Sequence, residues 1–98
     1  MEKYLELKDL FGEETAEDRI LSLAKRLKDI RKRRKISQSA LADRSFVSLG
    51  SIKRFESSGQ ISLASLYRLA IALGVDQELD SLFRNVPPTF EEMQHGAK

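Results

Sequence analysis

The sequence predicts an all-α fold of five helices between residues 15 and 85, with a short extension before them and a tail after them. Three observations carry this. Apolar residues recur at i, i+3, i+4 and i+7 in separate stretches, the spacing of one helical face. Between the stretches stand helix punctuators: Ser or Thr where an N-cap is wanted, and Gly or Pro-Pro where a helix should stop. Two of the starts also use the same device. Ser37 and Ser48 are each preceded by a β-branched residue and followed four positions on by an apolar one, Ile36 with Leu41 and Val47 with Ile52. That spacing is the hydrophobic staple. The chain shows no repeat, no low-complexity tract and no strand-like alternation.

Residues 1–14 form the extension. Tyr4, Leu7 and Phe11 fall at helical spacing with Gly12 as a stop. A helix this short is unstable alone, so it needs the domain, a second copy or a partner to dock on. Thr15 caps the first long helix, with Glu17 and Asp18 favourable in its first turn. Ile20, Leu23, Ala24, Leu27, Ile30 and Arg31 mark its inner face. The run Arg31-Lys32-Arg33-Arg34-Lys35 closes it, where positive charge suits the dipole.

The second helix runs roughly from Gln38 to Arg44 and the third from Leu49 to Glu56, with a turn at residues 57–60. Ser62 caps the fourth, which bears Leu63, Leu66, Tyr67, Ala70 and Leu73 and ends at Gly74. Asp76 caps the fifth, with Leu79, Leu82 and Phe83 inward, and Pro87-Pro88 ends it. Residues 86–98 are expected to be a mobile or partner-binding tail, in which Thr89 and Glu92 can start one more turn and present Phe90 and Met93.

At 98 residues the chain makes one small domain, whose marginal core would gain from dimerisation. It has no cysteine, hence no disulfide and no thiolate metal site, and a reducing cytoplasm is the simplest setting. No apolar run approaches the ~20 residues of a membrane span. The N-terminus carries acids rather than the apolar region of a secretory signal. Net charge is only +2, but it is sorted. Residues 1–18 hold seven acids and two bases, residues 19–56 twelve bases and three acids, and residues 57–98 five acids and three bases. A basic middle third beside two stapled helices points to a helix-turn-helix that meets double-stranded DNA.

A recognition helix presents its N-terminal side chains to the major groove. Arg54 is the first candidate base reader, because a guanidinium meets guanine O6 and N7 together; a phosphate contact is its other use. Lys53 can reach a base edge or a phosphate, and Ser51 can hydrogen-bond to either. Leu49 can touch a thymine methyl or pack inward. Gly50 has no side chain to read with and weakens the helix by roughly 0.5–1 kcal/mol relative to Ala, which suits close backbone approach to DNA. Ser37, Ser39 and Ser48 can add neutral phosphate contacts beside free helix N–H groups, and Arg33, Arg34 and Lys35 can add charged ones. No catalytic set, metal site or cofactor site is visible. His95 is the only histidine and lies in the tail, so the chain is not read as an enzyme.

These residues resemble the phage-repressor and Cro-like helix-turn-helix family, often called XRE-type, over about Leu23 to Phe83. The matching positions are Arg31, Gln38, Leu41-Ala42, Val47-Ser48 and Ile52-Lys53-Arg54-Phe55-Glu56. The resemblance implies a homodimeric repressor that reads an operator through half-sites about one helical turn apart. It implies that Gln38 holds a phosphate and braces the recognition helix, and that Arg31 pairs with Glu56. Two positions depart from the pattern. Phe46 stands where the family places a turn glycine. A left-handed residue there is disfavoured by ~1 kcal/mol, so a turn of different shape is expected. Leu49 and Gly50 stand where the family presents polar readers.

The string from Val47 to Glu56, followed by Gly59 and Ile61-Ser62-Leu63, is also similar to HipB-like regulators. That likeness implies an antitoxin that represses its own operon and binds a HipA-type kinase toxin. Tyr4, Leu7, Phe11, Phe90 and Met93 are the candidate partner-binding residues. The other reading is a stand-alone regulator with no toxin partner.

Overall fold

The computed structural model describes residues 14–95, and the expectations for Tyr4, Leu7, Phe11 and Gly12 lie outside them. The described residues form six helices: α1 Ala16–Arg33, α2 Gln38–Ser45, α3 Leu49–Ser58, α4 Leu63–Leu73, α5 Asp76–Asp80 and α6 Phe90–His95.

The starts are built from local hydrogen bonds. Thr15 Oγ1 accepts from the Asp18 N–H and the Asp18 carboxylate accepts from the Thr15 N–H, each at 3.1 Å, a complete capping box. Ser37, Ser48 and Ser62 cap α2, α3 and α4 by accepting from the N–H groups of Ala40, Ser51 and Ser65. The stops are left-handed. Phe46, Gly59 and Gly74 close α2, α3 and α4 at φ of 61°, 82° and 73°. Lys35 takes φ 57° after α1, and the Ile36 N–H reaches back to the Arg31 carbonyl at 3.2 Å. That back-bond is the Schellman closure.

Stapling feeds the core. Leu41, Val47 and Ile52 are buried and Ile36 is half-buried against them. Ala24 of α1, Phe55 of α3, and Leu66, Leu69 and Leu73 of α4 complete the centre. α1 packs on α3, α2 on both α3 and α4, and α4 on α5. Gly59 is needed for more than its dihedral. A Cβ there would lie 3.1 Å from the Ile20 carbonyl oxygen and collide with the Ile20 side chain, so α1 passes directly over the end of α3.

Four expectations change. Ile20 and Leu23 sit on the rim rather than in the core; Ile20 crosses α3 at its stop, Gly59, which has no side chain to cover it. Ala24, Leu27 and Arg31 face inward along that side, and Ile30 is half-buried beside them. On α4 the buried set is Leu66, Leu69, Ala70 and Leu73, while Leu63 is exposed. On α5 Asp76 is the first helical residue and not the cap; Val75 precedes it with no side-chain cap bond. Five residues make little more than one turn, so Leu79 reaches the core but Leu82 and Phe83 do not, at 54% and 85% exposed. The helix stops at Asp80, well before Pro87-Pro88, and Phe83, three residues further on, is left-handed at φ 65°.

The turn before Val47 also differs from expectation: Phe46 adopts the glycine conformation, and its ring is 89% exposed. Beyond the domain, Thr89 and Glu92 form a second capping box, at 2.8 and 3.0 Å, which starts α6. Phe90 and Met93 are exposed on it.

Candidate nucleic-acid interface

α3 has two unlike sides. Ile52 and Phe55 lock one of them into the core, which turns Gly50, Lys53, Arg54 and Ser57 outward at i, i+3, i+4 and i+7. Two cations thus stand on the solvent face of a helix that cannot roll. Leu49 and Ser51 flank this stripe and are half-buried. The Ser48 hydroxyl has its one hydrogen committed inside the protein: it accepts from the Ser51 N–H at 3.1 Å and donates to Ser51 Oγ at 2.8 Å. At the far end, the Ser57 and Ser58 hydroxyls donate to the Arg54 carbonyl and cover part of the helix terminus.

The end of α3 is fastened by charge. Arg31 Nε donates to Glu56 Oε2 at 2.7 Å and its Nη2 to Oε1 at 2.9 Å. Its Nη1 donates to the Ile36 carbonyl at 2.8 Å. Gln38 Nε2 donates to Glu56 Oε1 at 2.8 Å, so the first residue of α2 grips the same carboxylate. Burial pushes the Glu56 carboxyl up, but the hydrogen bonds from Arg31 and Gln38 and the charge of Arg31 outweigh it. The group is held below its ordinary value. Every side-chain polar atom buried among the described residues has a partner.

The expected phosphate contacts fall into two groups. Ser37 is exposed; its oxygen caps α2 and its hydrogen remains to donate. Gln38 keeps one amide hydrogen beyond the one given to Glu56. Ser39, Arg33 and Lys35 are exposed beside them in sequence. Arg34 is placed differently. Its guanidinium donates to the Leu73 carbonyl at the end of α4, a C-terminal dipole contact across the fold. Ser48 is likewise tied to Ser51.

Neither tie was legible, because Arg34 and Leu73 are far apart in sequence and a Ser-x-x-Ser spacing has many uses. Among the described residues no group of His, Cys, Asp and Glu is placed to hold a metal ion. No described helix is long and apolar enough to cross a membrane.

A capped, turned pair of helices with a cationic outer stripe on the second defines a DNA-binding transcription regulator. The chain matches the model of a helix-turn-helix family over residues 27–76, half of its length, and belongs to that XRE-type family. The matched span runs from within α1 to the start of α5 and so contains the whole α2–turn–α3 unit. Neither the curated proteins nor the solved structures contain a match.

Proposed function

We propose that the chain is a homodimeric, cytoplasmic repressor that lays α3 in the major groove of an operator. Lys53 and Arg54 on the immobilised outer face of α3 carry this reading. Arg54 reads guanine, and Lys53 a base edge or phosphate. Ser37, Gln38, Ser39, Arg33 and Lys35 take phosphates and set the register. A second copy would cover Leu82, Phe83 and Val86, which lie exposed in one run after α5.

The same chain acts as an antitoxin in this proposal. The HipB-like string from Val47 to Leu63 supports it, as do Phe90 and Met93, which a capped helix holds out in solvent. The partner is a HipA-type kinase toxin encoded beside it. Without such a neighbour, the reading reduces to a stand-alone regulator.

A gel shift on DNA upstream of its own gene, at two salt concentrations, tests the first part. A shift that weakens steeply with salt is expected, and no shift on any upstream fragment overturns it. Affinity capture from native host extract tests the second. A kinase-like protein from the adjacent gene is expected, and its absence leaves the regulator without the antitoxin.

A further inference from the structure

Gly50 opens the outward stripe, one turn ahead of Lys53 and Arg54. Nothing in the fold asks for a glycine there. A Cβ on Gly50 would meet no atom within 4 Å. Its dihedral is not left-handed, unlike those of Gly59 and Gly74, which close helices. Alanine would be the better helix former at this site. The bare backbone is therefore explained by something outside the domain.

The neighbours of Gly50 narrow what that is. Across the first turn of α3 there is no amide, carboxylate or guanidinium side chain. The Ser48 hydroxyl is bonded to Ser51 Oγ, which leaves Ser51 a single hydrogen to donate. What this turn offers a partner is the half-buried Leu49 side chain and the exposed Gly50 backbone. The edge of a base pair in the major groove carries one apolar group, the C5 methyl of thymine.

Resting on the DNA-binding reading above, we propose that readout along α3 is divided. The first turn recognises a thymine methyl through Leu49, at a distance that Gly50 makes possible. Hydrogen-bonded readout is confined to Lys53 and Arg54 in the second turn. Gly50 is then a specificity-determining residue although it has no side chain.

The test begins with the full chain and duplexes selected from a random pool. The best duplex is remade with each thymine replaced in turn by uracil, which removes only the methyl, and affinities are read by fluorescence anisotropy. One position in each half-site should lose roughly fourfold, the worth of one buried methyl. Leu49→Ala should bind the thymine and uracil duplexes alike at that position. Gly50→Ala should melt at a higher temperature than the parent and bind the parent duplex more weakly. Equal binding of uracil at every position overturns the proposal, and it does so with the unaltered protein, whatever the variants do. A Gly50→Ala protein as tight as the parent also overturns it. If no duplex is retained from the pool, the DNA-binding reading itself falls, which is a separate outcome.

Discussion

The Arg31 guanidinium and the Glu56 carboxylate meet through two parallel hydrogen bonds, 2.7 and 2.9 Å long, with both side chains under a tenth exposed. The pair joins the end of α1 to the end of α3. Buried pairs are poor sources of net stability but hazardous to break, because the survivor is left uncompensated. Arg31→Ala or Glu56→Ala should each lower unfolding free energy by about 3–5 kcal/mol in denaturant titrations. An apolar replacement of both partners, Arg31→Met with Glu56→Leu, should recover much of that stability.

Glu56 also sets an acid limit. Its carboxyl is held below the ordinary value of 4.5 in the folded state. Such a group contributes its full stabilisation above that unfolded value and loses it as pH falls through the lower, folded one. The melting temperature should therefore show no Glu56-linked fall from neutral pH down to about 4.5 and should drop below it. Glu56→Gln should flatten that part of the profile while lowering stability throughout. A parent whose acid drop is unchanged in Glu56→Gln would show that other carboxylates set the limit.

Phe46 holds a left-handed backbone with its ring in water, so its side chain gives the fold little in return for the strain. Phe46→Gly should raise unfolding free energy by about 1 kcal/mol, read from thermal or denaturant melts. A decrease would mean that the ring makes an interaction worth more than the strain.

Cations on the two parts of the interface should fail differently. Arg54→Ala should cost about 1–3 kcal/mol of binding and relax preference at one base pair per half-site. Arg33→Ala or Lys35→Ala should weaken all duplexes alike and reduce the slope of log affinity against log salt by about 1 for each phosphate no longer neutralised. Arg34→Ala should instead lower the melting temperature with little change in that slope, because its guanidinium is bonded to the Leu73 carbonyl. Anisotropy titrations at several salt concentrations separate the three cases.

Much of the domain was legible because its information is local. Caps at Thr15, Ser37, Ser48 and Ser62, and the staples behind Ser37 and Ser48, involve residues within five positions of one another. The outer stripe of α3 follows from where Ile52 and Phe55 must go. What stayed hidden has no local marker. Lys35 is left-handed inside a charge run that reads as a dipole match and a set of phosphate contacts, not as a turn. Arg34 finds a carbonyl on a distant helix, and charge alone assigns it to phosphate. The spacing of Leu79, Leu82 and Phe83 continues a helical face past the point where the backbone stops being helical, and apolar periodicity does not register that break.

The fastening of α3 is uneven along its length. Glu56 is gripped by Arg31 and Gln38, and Gly59 is pressed under Ile20, so the last turns are bolted to α1 and α2. The leading turn is held by apolar contact instead, through the stapled Val47 and Ile52, with a serine pair and the half-buried Leu49 beside them. α3 is thus a blade with a polar, hydrogen-bonded root and an apolar hold at its tip. Changes at the root should shift how the whole blade enters a duplex and so alter every base preference together, while changes at the tip should alter one preference and leave the others standing.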